Sequence, residues 1–244
     1  ITLLEREGIR VHFPEGQTCC GQPAHTSGFP DESRKVAAHT LTLFPNDWPV
    51  VVPSGSCAGM MKHHYPTLFA ADPARKAQAE ALAARIHEFT DFLVNVLGYQ
   101  PQDMGSDCTV VLHTSCSARR EMGVHLTGRK LLDDLAKVNV AQQDHESECC
   151  GFGGLMQNSN PELAKTVVQR LSGKSSADYL TYCAGCRDNP SRRPRFARTG
   201  PHGVSTVTAS RASFDRCAAV RRTPNVPVSR NKIASSAATA ASGH

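Results

Sequence analysis

The sequence predicts an α/β protein: two repeated α/β units with parallel sheets, cysteine sites at the carboxyl edge of each sheet, and a disordered C-terminal tail. Three observations lead there. First, Glu148-Cys149-Cys150-Gly151-Phe152-Gly153-Gly154 is echoed by Gln17-Thr18-Cys19-Cys20-Gly21-Gln22-Pro23, 130 residues earlier. Second, each Cys-Cys-Gly is followed by a β-like run that ends in another cysteine, Pro49–Cys57 in the first copy and Ala177–Cys183 in the second. Third, a repeat of this size is longer than the roughly 20–50 residues of solenoid periods, so it reads as two copies of one supersecondary unit. The expected organisation is 1–98 for the first repeat, 99–189 for the second and 190–244 for a basic low-complexity tail.

Taken in order, Thr2–Gly8 reads as the end of a helix closed by glycine, and Ile9–Phe13 alternates as a strand does. The second repeat has a leading cysteine, Cys116, ahead of Cys149, and nothing in 1–18 matches it; the expectation is that the first repeat is N-terminally truncated. Asp31–Phe44 reads as a helix with Asp31 or Ser33 at its cap. Pro49–Ser54 reads as a buried strand by its valine run, and Met60–Phe69 as a short helix. Asp72-Pro73 opens a long helical stretch, Ala74–Leu97, with Leu82, Ile86, Phe89, Leu93, Val96 and Leu97 on one face and Gly98 as its stop. Tyr99–Asp107 reads as a linker. Thr109–Cys116 is a strand ending at a thiol, Gly128–Val138 a helix, Val138–Ala141 a short strand, Pro161–Leu171 a helix capped by Asn160, and Asp178–Tyr182 the last strand.

Composition narrows the class. With 244 residues and 40% hydrophobic content the chain is long enough to bury a core without disulfide staples. No apolar run reaches the roughly 18 residues of a membrane span, and no signal-peptide pattern is present. The ten cysteines fall into Cys-Cys-Gly and Cys-x-x-Cys groups in a long chain, which indicates reduced, metal-binding thiols in the cytoplasm over a secreted disulfide framework. The net charge of +5 belongs to the tail: residues 190–244 hold ten Lys/Arg against the single acid Asp215. The tail has no Leu, Met, Tyr or Trp, cannot bury enough surface to offset chain entropy, and lacks the arginine–aromatic interleaving of a nucleic-acid binder.

The chemistry lies in the thiols. Cys116, Cys149, Cys150, Cys183 and Cys186 follow strands or strand–helix loops, so one sheet edge can collect them. Five thiols exceed the four of a tetrahedral zinc site, whereas sulfide-bridged iron favours thiolates. On residue chemistry an iron–sulfur cluster and a structural zinc both remain open. The first repeat offers Cys19, Cys20 and Cys57, with Met60 where the second has Cys186. Cys183-Ala-Gly-Cys186 alone would also suit thiol–disulfide exchange, but Cys149-Cys150 aimed at the same place argues against that. Cys108 reads as a buried small hydrophobe and Cys217 as a bystander. His113 and His25 read as packed or surface histidines near thiols, and His63-His64 as a solvated face. No paired carboxylates or Ser-His-Asp set supports hydrolysis.

The pattern Cys-x(32)-Cys-Cys-Gly-x(31)-Cys-x-x-Cys resembles the cysteine-rich CCG domain. That domain is found in heterodisulfide reductase, in the iron–sulfur subunits of glycolate oxidase and anaerobic glycerol-3-phosphate dehydrogenase, and in lactate utilization protein A. The strings Val11–Ala24, Pro53–Cys57, Thr90–Leu97, Leu112–Cys116 and Cys149–Gly154 are most similar to the lactate utilization group. The resemblance implies a two-repeat α/β protein that binds iron–sulfur cluster and transfers electrons beside partner subunits that oxidise a hydroxy acid, L-lactate in that group. It implies Cys116, Cys149, Cys150, Cys183 and Cys186 as holders of a [4Fe-4S]-type cluster, and Cys19, Cys20 and Cys57 as part of a second site. Membrane association, where present, would run through partners. After Gly154, and again at Thr181–Asp188, the chain departs from the lactate group toward CCG domains of other redox enzymes.

Overall fold

The computed structural model describes residues 1–114, 116–141, 146–149, 159–172, 178–181 and 218–222. The first half runs α1 (Thr2–Arg6), β1 (Ile9–His12), α2 (Gln22–Thr26), α3 (Pro30–Thr42), β2 (Val50–Val52) and α4 (Gly55–Gly59). α4 continues through a π-helical turn, Met60–His64, into α5 (Tyr65–Leu68), and α6 (Pro73–Ala83), β3 (Ile86–Glu88) and α7 (Phe89–Asp91) follow. A second π-helical turn, Phe92–Leu97, ends at Gly98. The second half runs β4 (Cys108–His113), α8 (Cys116–Arg120), α9 (Val124–Asp133), β5 (Val138–Ala141), α10 (Pro161–Ser172) and β6 (Asp178–Thr181). A last strand, β7, is Ala218–Arg222.

The fold is α/β with two small sheets. The second sheet has the order β5-β4-β6, parallel throughout. The first has the order β1-β7-β2-β3, with β2 parallel to β3 and β7 antiparallel to both β1 and β2. β7 thus gives regular structure to one stretch of the basic tail; the rest of the tail lies outside the described residues.

The valine run shows why the first sheet is buried on both faces. Side chains alternate along a strand, so Val50 and Val52 join Phe44, Met60, Met61, Tyr65, Phe69, Leu82 and Ile86 on one face. Val51 points the other way, to Leu4, Ile9, Phe92 and Leu93, with Leu131 of α9 packed against that cluster. A continuous apolar strand covered on both faces is the habit of parallel sheets.

Several expected boundaries move. The helix expected over Ala74–Leu97 stops at Ala83, because Ile86-His87-Glu88 pairs along β2, Val50 opposite Ile86 and Val52 opposite Glu88. A three-residue strand carries no period of its own, so helical spacing absorbed it. Arg85 secures the break: its guanidinium donates to the Trp48 carbonyl at 2.9 Å and to the Phe44 carbonyl. The cap at Asp72 is present, accepting from Arg75 N–H at 3.1 Å, as is that at Asn160, accepting from Leu163 N–H at 3.2 Å. α3 instead begins after Phe29 with no side-chain cap, and Ser33 is buried and bonds elsewhere. Cys108, expected inside, is exposed at the open start of β4; only the last three residues of that strand, Val111–His113, are buried.

Two of the contacts that join the halves are close-packed or buried. α4 and α8 meet so closely that a Cβ on Gly55 would overlap Ala118, and one on Gly59 would overlap the Glu121 carboxylate. Farther along, Glu88, fully buried, takes Thr90 N–H at 2.8 Å and the Thr90 hydroxyl at 2.6 Å on Oε2. The Thr90 hydroxyl lies 2.6 Å from that of Thr127 on α9. Oε1 of Glu88 has no partner among the described residues. Burial raises the Glu88 pKa to about 7, against the downward pull of the hydrogen bonds from Thr90, Asp91 and Phe89.

Both contacts are open to test. Gly55→Ala should lower stability by about 1–3 kcal/mol, the usual overpacking penalty, read by urea denaturation; an unchanged midpoint would show that the helices separate freely. For Glu88, the folded pKa lies above the unfolded one. Stability is therefore highest below the unfolded pKa and falls as pH rises through about 4.5 to about 7. The loss is about 3 kcal/mol at full ionisation. Glu88→Gln should match the native chain at pH 5 and exceed it in stability at pH 8; equal stability at both pH values would refute the buried-acid account.

Candidate thiol centres

In the first half the turn after β1 carries Cys19 and Cys20 to the start of α2. Gly21, at the cap of α2, has φ +84°, a left-handed conformation that glycine adopts without penalty. A Cβ there would also press on Ser33 of α3, whose hydroxyl donates to the Gly21 carbonyl at 3.1 Å. The Gly21 N–H points back to Cys19 Sγ at 3.5 Å. The glycine of Cys-Cys-Gly thus folds the backbone tightly against α3 at the point where the two thiols stand. Cys57 arrives from the other side, on α4 directly after β2.

These three thiols meet. Cys20 is buried, and its thiol is in hydrogen-bonding contact with both Cys19 and Cys57. Its pKa is held well above the ordinary thiol value, first by the Cys19 hydrogen bond, then by that of Cys57, then by burial and the Cys57 charge. The Tyr65 hydroxyl donates to the Cys20 carbonyl at 2.9 Å and fixes the loop from below. Met60, which stands where the second repeat has Cys186, is fully buried in the same core and supplies no donor to the surface.

In the second half Cys116 opens α8, just past the carboxyl end of β4. Cys149 is exposed. Arg119 of α8 reaches the segment just ahead of it through Glu146, at 2.6 Å. His113 is fully buried at the end of β4, and neither ring nitrogen has a hydrogen-bond partner among the described residues; the hydroxyl of Thr114 is likewise without one. Cys150, Cys183 and Cys186 lie outside the described residues, as does Cys217.

The edges of the two halves approach each other around Glu121. His64 Nε2 is 3.6 Å from its carboxylate, and His63 Nε2 is 3.2 Å from its carbonyl. His25 lies against His64 with ring centroids 5.0 Å apart. His25 has a lowered pKa, from burial first and then from His64, with Glu121 opposing. The pair His63-His64, read from sequence as a solvated face, is instead half engaged across the halves. The sequence reading also missed Arg119–Glu146 and Glu88, because partners 27 residues apart and a carboxyl at the end of a three-residue strand leave no local pattern.

Among the described residues no group of three or more His, Cys, Asp and Glu is placed so that it could hold a metal ion. In chemical type alone the first-half donors suit a soft, thiophilic cation. Three thiols crowd together, one of them buried and kept neutral by its neighbours, and bound cationic iron or zinc would hold thiolates there. The ring nitrogens of His113, three residues before Cys116 in the chain, are buried and without a partner among the described residues.

Comparison with known proteins agrees with this chemistry. The family model described as "CCG: Cysteine-rich domain" matches residues 1–62 and 110–189. The lactate utilization protein A of Oceanobacillus iheyensis is 40% identical over 185 residues, covering 74% of this chain and 75% of that protein. That of Geobacillus kaustophilus is 38% identical over 185 residues, 74% of this chain and 76% of the relative. Lactate utilization protein A 1 of Bacillus mycoides is 40% identical over 172 residues, 69% of each. With its paired thiols on a glycine-braced turn, its repeated α/β plan and these matches, the chain belongs to the cysteine-rich CCG domain family, on the side of the lactate utilization A proteins.

Proposed function

We propose that this chain is the iron–sulfur-binding, electron-transferring subunit of a multi-subunit 2-hydroxy-acid oxidation system, with L-lactate as the hydroxy acid. In this reading Cys116, Cys149, Cys150, Cys183 and Cys186 hold a [4Fe-4S]-type cluster, and Cys19, Cys20 and Cys57 form a second thiol site. Residues 1–98 and 99–189 then act as two pseudo-equivalent domains. The work is done in the cytoplasm beside partner subunits that bind the hydroxy acid; no helix among the described residues is long and apolar enough to cross a membrane.

The observation that carries the reading is the meeting of Cys19, Cys20 and Cys57, from two separate loops, at one buried thiol. The names of the relatives supply the lactate system. A bound cluster supplies reversible one-electron storage. The chain's own residues do the rest. The thiols supply the donors, Ser33 and Tyr65 hold the Cys19-Cys20 turn, and Arg119 with Glu146 holds the segment before Cys149 against α8. His113, buried three residues before Cys116 with its ring nitrogens unpartnered among the described residues, offers a ring N–H of the kind a sulfur can accept. The zinc-stabilised interaction module uses the same donors, but five thiols in the second half exceed its needs.

Protein produced anaerobically should contain iron and acid-labile sulfide and show a broad visible absorption band. Changing Cys149 and Cys150 to serine should remove the cluster of the second half, with circular dichroism unchanged. Zinc in stoichiometric amount, with neither iron nor sulfide, would move the protein to the structural class. The first site makes a separate prediction through its acidity. The Cys20 thiol is held protonated, so binding a thiophilic cation must displace that proton. Cadmium affinity measured with the Cys149/Cys150 serine variant should rise with pH between about pH 6.5 and 8, because each ligating thiol gives up its proton. In Cys20→Ser the rise should be shallower by about tenfold per pH unit, one proton fewer being displaced; an unchanged slope would show that Cys20 gives up no proton on binding.

A further inference from the structure

Two histidines of the first π-helical turn reach the same residue of the second half. His63 Nε2 lies 3.2 Å from the Glu121 carbonyl, and His64 Nε2 lies 3.6 Å from the Glu121 carboxylate. In a regular α-helix neighbouring side chains point about 100° apart; π-helical turns are frequent at functional positions. The other side of His64 is taken by His25 of α2, with 5.0 Å between ring centroids and 42° between planes. One imidazole thus stands between a second imidazole from its own half and a carboxylate from the other.

The three groups are placed to feel one another's charge. The side chains of His64 and Glu121 are 37% and 30% exposed, and His25 is half-buried. Burial first, and then His64, lowers the His25 pKa; Glu121 raises it. The other charged side chains on these and the adjoining helices are engaged elsewhere or exposed. Lys62 donates to the Ile86 carbonyl at 3.0 Å, Arg119 pairs with Glu146, and Arg34 of α3 pairs with Asp31. Lys76 and Glu80 of α6 face each other at 3.8 Å. Arg120 of α8, and Asp31, Glu32 and Lys35 of α3, are exposed.

We propose that His25, His64 and Glu121 form a proton-operated switch at the seam of the two halves. With the rings neutral, α2 rests its imidazole on the π-helical turn. With both rings protonated, His64 is attracted to Glu121 and repelled by His25, so the seam between α4 and α8 tightens while α2 loosens. α2 begins directly after Gly21, so the loosening starts at the turn that carries Cys19 and Cys20. The switch does not depend on what those thiols hold. Acid weakens the α2 contact because the folded pKa of His25 lies below its ordinary value of 6.5. The stability His25 contributes is present above that value and is lost as pH falls through the lowered one. Glu88 acts in the opposite sense, its contribution growing as pH falls, so it cannot produce the loosening.

Amide hydrogen exchange of the full chain, read by mass spectrometry at about pH 5.5 and about pH 7.5, brackets the ordinary histidine range. Rates are divided by those of an unstructured chain at the same pH. Exchange over Gln22–Thr26 should be about two- to fivefold faster at the lower pH, the size of one half-exposed charge contact. Exchange over 117–121 should be slower there. His25→Gln should abolish the loosening of α2, and so should His64→Gln. Glu121→Gln should abolish the slowing over 117–121. A double-mutant cycle on His64→Gln and Glu121→Gln, followed by urea unfolding, isolates the seam contact from changes in overall stability. The coupling should be present at about pH 5.5 and close to zero at about pH 7.5. Equal coupling at both pH values, an α2 response that survives His25→Gln, or no acid response in the native chain would each overturn the switch.

Discussion

The close approach of Gly55 to Ala118 is the constraint from which the rest of the arrangement follows. α4 begins beside Cys57 and α8 begins at Cys116, so the helices that present the two thiol centres touch almost backbone to backbone. That contact requires hydrogen in place of a side chain at Gly55, and at Gly59 it admits the Glu121 carboxylate between the helices. Once they are fixed, His63 and His64 reach Glu121, and Thr90 reaches Thr127. The two sheets are separate, yet their thiol-bearing edges are held in one piece by small residues and a few polar contacts.

Within the first edge the electrostatics run in one direction. Crowded thiols hold one another neutral, because a thiolate at Cys20 would face burial and a second sulfur without a countercharge. The same crowding is an advantage to a cation, which converts mutual destabilisation into ligation. Glu88 sets a comparable problem at the end of β3, a buried carboxyl with one oxygen satisfied and the other without a partner among the described residues. It is accommodated by remaining largely protonated up to neutral pH, which makes the union of the halves sensitive to pH through Thr90 and Thr127.

Much of the fold could be read from local signals. The valine run gave β2, Asp72-Pro73 the start of α6, Asn160 the cap of α10, and the Cys-Cys-Gly repeat the two-sheet plan. The failures have a common physical origin in pairing between distant segments. Ile86–Glu88 has apolar spacing compatible with a helix and becomes a strand only because β2 lies beside it. Cys108 looks apolar in isolation, but it sits at the end of β4 that projects past the buried layer. Ala218–Arg222 has no strand signal at all and is ordered by the open ladders of β1 and β2. In the thiol centre the donors were legible and their supports were not, since Ser33, Tyr65 and Glu146 act across 12, 45 and 27 residues of sequence.

The two halves have diverged unequally around a shared plan. The second keeps a thiol at each expected position of the motif, with a parallel middle strand leading to the first of them. The first keeps the paired cysteines, the glycine that folds them against α3, and Cys57. Where the second has Cys186 it places Met60, and Met60 is not an idle replacement at the surface. It is fully buried with Tyr65 and Cys20, so the position has been turned inward to support the very turn that carries the remaining thiols. Restoring a cysteine there would remove core volume beneath Cys20 without presenting a sulfur at the edge.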